Sequence, residues 1–113
     1  MNIQHFEKGF FYSDADLVKV ATKLGKLATY CKKLKDPDSV IRVESEHSPT
    51  KKQSDQIKVM ITIDLPKMQL RAESFKGKPI EALDRCIEKL EPQIAKYKAK
   101  HLGGEKKRRG RGN

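Results

Sequence analysis

The residues best placed to do chemistry in this chain are rows of cations. Lys19, Lys23, Lys26, Tyr30 and Lys33 follow one another at alternating steps of four and three residues. That spacing puts all five on one line of a helix, and no acid interrupts the line. Arg85, Lys89, Lys96 and Lys100 form a second row. Glu81, Asp84, Glu88 and Glu91 fall on the other flank of the same helix. An ordinary solvated helix mixes its charges, whereas here the two signs are sorted. Rows of lysine and arginine suit a polyanion, because each cation can meet one phosphate. Tyr30 could stack on a base or cover the edge of the core. Lys106, Lys107, Arg108, Arg109 and Arg111 add a third group in a stretch interspersed with glycine.

Other chemistries lack their signatures. The sequence holds no glycine-rich phosphate loop, no HExxH and no nucleophile elbow. His5, His47 and His101 have no metal-like spacing with cysteine or carboxylate. The expectation is a protein that is not an enzyme and needs no metal, cofactor or small-molecule substrate. Cys31 and Cys86 are far apart and near the apolar faces of their helices, which predicts buried free thiols rather than a disulfide.

The composition agrees with a polyanion partner. The 113 residues carry a formal net charge of +10, with a pI near 9.7, and such an excess points to nucleic acid or an anionic surface. Hydrophobic residues make up 36%, enough for one modest core if they are well patterned. The N-terminus lacks the apolar run of a signal peptide, and no segment is long enough to span a membrane. A cytoplasmic protein is expected.

The elements that must position the cations can be read from the period of the apolar residues. Asn2 to Phe6 reads as a short strand, and the Phe10–Phe11 pair as a plug at the core edge. Ser13 is a good N-cap, with Asp16 three residues on and Asp14 beside it at the positive end of the dipole. The first helix follows, with the apolar stripe Leu17, Val20, Leu24, Leu27, Cys31 and Leu34, and ends at Asp36-Pro37. Gly25 weakens it, and would permit close packing on a sheet or on RNA. Ser39 to Glu46 and Gln56 to Leu65 alternate as strands, and so do Met68 to Glu73. The last helix opens with Pro79, a residue suited to the first turn. Its stripe is Ile80, Leu83, Ile87, Leu90, Ile94 and Tyr97. Pro92 falls inside it and predicts a kink.

The element order is thus β-α-β-β-β-α, an α+β fold. A four-stranded, mostly antiparallel sheet should carry both helices on one face, as in double-stranded RNA-binding domains. The first strand should run parallel to the second. Residues 1–102 form the expected domain and residues 103–113 a basic, disordered tail. If the cationic flanks of the two helices face a shared groove, they form one patch.

Two segments resemble a known family. Lys23-Leu24, Lys26-Leu27 and Tyr30 in the first helix are similar to the pattern of the ribosome hibernation-promoting factors, the family of ribosome-associated inhibitor A. So are Ala82-Leu83-Asp84, Lys89-Leu90-Glu91, Gln93-Ile94 and Lys96 in the last helix. The resemblance covers about residues 1–101 and suggests a short form. The chain departs from the pattern at Lys78-Pro79-Ile80, where the family has an acidic-Met-Tyr lead-in. It departs again at Pro92, where the family usually has a basic residue.

The resemblance implies a fold, a partner and an action. Such proteins bind the small ribosomal subunit between head and body, over the messenger and the A- and P-site transfer RNA positions. They inhibit translation in the idle ribosomes of stressed or stationary-phase cells. Lys23, Lys26, Lys89 and Lys96 would be the matched rRNA contacts; the other cations come from periodicity alone. The alternatives are a generic double-stranded RNA-binding module and a protein-interaction module for an acidic partner.

Overall fold

A computed structural model describes residues 2–9, 12–30, 39–49, 52, 55–65 and 68–102. The elements run β1 (Asn2–Lys8), α1 (Asp14–Tyr30), β2 (Val40–His47), β3 (Ile57–Leu65), β4 (Met68–Lys76) and α2 (Pro79–Tyr97). A π-helical turn, Lys98–Leu102, follows α2. The sheet order is β1-β2-β3-β4. β1 pairs parallel to β2, and the other two pairings are antiparallel. The fold is therefore the expected α+β arrangement, a mixed four-stranded sheet with two helices.

Alternation sorts the two faces of the sheet. Ile41, Val43, Ile57, Val59, Ile61, Ile63, Leu65, Leu70 and Ala72 are buried against the helices. Val20, Leu24 and Leu27 of α1 join them, with Ala82, Leu83, Cys86, Leu90, Ile94 and Tyr97 of α2. Ile80 and Ile87 are partly buried at the margin. Leu17 does not belong to the core: it is 38% exposed. It lies on the first turn of the helix, where the apolar stripe has already turned away from the sheet.

Local signals set the ends of α1 and the course of α2. Ser13 caps α1, its Oγ accepting from the Asp16 N–H at 3.1 Å. The strands β1 and β4 run further than alternation alone marks, to Lys8 and Lys76. α2 is one continuous helix, with Pro92 inside it; no second helix starts there. Pro92 is exposed, so the carbonyl of Glu88, which loses its usual donor, can turn to water.

Tyr12, just before α1, is tied to β2 by a hydrogen bond and to β1 by a ring contact. The Tyr12 hydroxyl and Ser45 Oγ share a hydrogen bond of 2.7 Å, and the His5 and Tyr12 rings lie 4.9 Å apart. Cys86 is a buried free thiol whose Sγ donates to the Val59 carbonyl at 3.1 Å. Burial pushes its pKa up to about 12. Cys31, Phe10–Phe11 and residues 103–113 lie outside the described residues.

Candidate nucleic-acid interface

Lys19, Lys23 and Lys26, three of the five residues on the predicted line, lie on one flank of α1. Lys19 and Lys26 are exposed and Lys23 is half-buried. With Val18, Thr22 and Ile80 they line a shallow groove of about 400 Å³ beside the start of α2. The line lies on the flank of α1 next to its buried stripe, and that flank faces α2. Lys23 Nζ reaches Asp84 Oδ1 at 2.8 Å across the gap. Both side chains are partly exposed, so the pair contributes under about 1 kcal/mol.

The cations of α2 face the other way. Lys89 Nζ donates to the Glu73 carbonyl on β4 at 2.7 Å. Arg85 and Lys89 border a second groove with Asp55, Glu73, Ser74, Phe75 and Lys76. One turn further along the flank, Gln93 accepts from the Arg71 N–H at 3.2 Å and donates to the Arg71 carbonyl at 2.8 Å. α2 thus lays its basic flank over the β4 edge and turns Asp84 toward α1.

This overturns the expected single patch. The two cationic rows do not meet in the groove between the helices. They are separate strips, with the acidic flank of α2 between them. Nor are the charges of α2 fully sorted, because Arg85 Nη1 bonds to Glu88 Oε1 at 2.9 Å. Lys96 is exposed near the end of α2, and Lys100 is exposed in the π-helical turn. The wider turn breaks the spacing that put Lys100 in line with the others.

Several candidate residues fall outside this geometry. Tyr30 is the last residue of α1, and its side chain lies outside the described residues. Lys33, Lys106, Lys107, Arg108, Arg109 and Arg111 also lie outside them. Among the described residues no group of histidines, cysteines and carboxylates could hold a metal ion, and no helix is long and apolar enough to cross a membrane. Gln93 was missed by sequence reasoning. Its place one turn beyond Lys89, on the same flank, is the signal that could have found it.

Fold and charge define the class first: an α+β domain of the general shape of double-stranded RNA-binding domains, with cations on its helix layer. The family is more specific. Residues 7–102 match the family described as Sigma 54 modulation protein / S30EA ribosomal protein, and the chain belongs to it. Among solved structures it is similar to the N-terminal domain of Protein Y from Thermus thermophilus. That likeness has 26% identity and a TM-score of 0.67, over 86% of this chain and 99% of the other. It is also similar in fold to a ribosomal subunit interface protein from Coxiella burnetii, at 23% identity and a TM-score of 0.68. The match covers 88% of this chain and 99% of that one.

Proposed function

We propose that the protein is a ribosome hibernation factor. Membership of a ribosomal protein family gives it a ribosome-associated role. The finer reading is that it binds small-subunit rRNA between head and body. There it covers the messenger path with the A and P sites and blocks translation in inactive ribosomes. The place of action would be the cytoplasm, and the protein would act by occupancy rather than by catalysis.

The observation that carries the reading is the line of Lys19, Lys23 and Lys26 along one accessible flank of α1. Lys23 and Lys26 are also positions where the sequence resembles the hibernation factors. Arg85, Lys89 and Lys96 would supply a second set of contacts on a separate strip, so the rRNA would have to touch the helix layer at two places. Asp84 holds Lys23 in the free protein, and a phosphate would compete for it at little cost.

Sedimentation with small subunits at low salt tests this. The Lys23→Glu, Lys89→Glu double variant should lose binding by more than about tenfold, since each reversal turns an attraction into a repulsion. The Glu81→Lys, Glu88→Lys variant should bind at least as well as the parent. Equal binding by all three proteins, or no binding by the parent, would remove the reading.

A further inference from the structure

The sheet face away from the helices has a chemistry of its own. The register aligns Gln4, Arg42, Thr62 and Arg71 in one row across all four strands. Thr62 belongs to the outward set of β3, with Lys58, Met60 and Asp64, yet it is only 1% exposed. Among the described residues both helices pack on the other face. The Thr62 Oγ1 is buried and has no hydrogen-bond partner. A buried hydroxyl left so is destabilising, unless a ligand satisfies it.

The flanking arginines are held loosely or not at all by carboxylates among the described residues. Arg42 reaches Asp64 only at 3.8 Å, with both side chains partly exposed. Asp64 already accepts a 2.7 Å hydrogen bond from Gln69 Nε2. Arg71 is exposed, and no carboxylate among the described residues pairs with its guanidinium. Two strand spacings separate the arginine backbones, about 10 Å, a gap that two such side chains can close around a small anion.

We propose that Arg42, Thr62 and Arg71 form a second oxyanion site, which holds one phosphate of an RNA strand. The site stands apart from the helix layer and does not rest on the ribosomal reading. Two planar guanidinium forks and a hydroxyl between them, from three adjacent strands, offer donors to three acceptor oxygens. A phosphodiester sets two non-bridging and two ester oxygens tetrahedrally, so donors from three strands can each meet a separate oxygen, whereas a carboxylate has two oxygens in one plane and one fork satisfies it. Phe6, 52% exposed one row along the sheet, adds a ring on which a base can stack.

The surroundings define how such a site behaves. Glu44 and Glu73 stand in the next row, and Lys58 holds Glu73 at 3.6 Å. With Asp64 included, positive and negative charges balance around the row. Binding here therefore depends on donor geometry rather than on a field, and it should be far less sensitive to salt than contacts to a row of lysines.

NMR titration of the full ¹⁵N-labelled chain with dimethyl phosphate, a monoanionic phosphodiester, tests the site. The Thr62 amide and the Arg42 and Arg71 Nε–H signals should shift and saturate. Arg42→Gln and Arg71→Gln should each weaken the response by about tenfold or more, as the loss of a charged hydrogen bond implies. Thr62→Val keeps the shape of the residue and should weaken it several-fold. The readout is local to the sheet face and uses no ribosome, so failure of the helix-layer reading would leave this result standing.

Non-saturating shifts, an unchanged response in Arg71→Gln, or unchanged binding by Thr62→Val would overturn the site. An equal response to acetate would overturn the preference for phosphate. A uridine hexanucleotide that leaves the Thr62 signal unmoved would overturn RNA as the source.

Discussion

Gly25 shows how one residue separates a structural constraint from a functional one. A Cβ built there meets nothing within 4 Å, so close packing on the sheet is not its reason. Gly25→Ala should stabilise the protein by about 1 kcal/mol, the difference in helix propensity, read as a higher urea midpoint. Cys86 gives a pH signature. Its thiol is raised from an ordinary 9.0 to about 12 by burial first, with Glu73 adding to it and Lys89 opposing it. The folded state therefore keeps a proton that the unfolded chain gives up earlier. Stability from this group is intact below pH 9 and falls as pH rises toward about 12. Cys86→Val should flatten that part of the fall, measured as the difference in urea midpoint between neutral and alkaline buffer. An identical alkaline loss in both proteins would show that other groups cause it.

At the scale of elements, α2 acts as a cover for a sheet edge. β4 is an outer strand with open backbone groups, and such edges invite pairing with another chain. Gln93 meets the Arg71 N–H and carbonyl, and Lys89 meets the Glu73 carbonyl. Gln93→Ala should cost about 1 kcal/mol for exposed hydrogen bonds of this kind. It should also speed hydrogen exchange at the Arg71 amide, with little change at Ile61 or Ile63. Lys89 thus has two tasks, and the backbone contact is one that its spacing did not reveal. The strands themselves were legible from alternation, because a sheet buried on one side must alternate. The continuity of α2 through Pro92 was legible too, because the apolar stripe runs on to Ile94 and Tyr97; how the helix tolerates the proline was not, because that depends on whether the freed carbonyl faces water.

At the scale of the molecule, charge is distributed unevenly. The helix layer carries the cationic strips, while the open sheet face pairs its charges through Lys8–Glu46, Arg42–Asp64 and Lys58–Glu73. Steep salt dependence of any RNA binding should therefore come from the helix layer and from the basic stretch at residues 105–113. Deleting that stretch removes five cations and one acid. Its loss should lower the log–log salt slope by up to about 4 if each cation meets a phosphate, and leave the site of binding unchanged. An unaltered slope would make the stretch a bystander.

The sequence by itself determined the element order, most of each buried stripe and the lysine flank of α1. All of these are periodic, and a period is a local property of the chain. It also carried the family resemblance, through short motifs on the two helices. Only the tertiary structure decided which flank of α2 looks at α1. A helix wheel places acids and cations on either side of a buried stripe, but it does not say on which side the neighbouring helix lies. That depends on where each helix crosses the sheet. Here the crossing sets Asp84 against Lys23 and lays Lys89 over β4, so the expected single patch became two strips. The row of Arg42, Thr62 and Arg71 is tertiary for the same reason. Three residues from three strands become neighbours only through register, and nothing in their sequence spacing announces it.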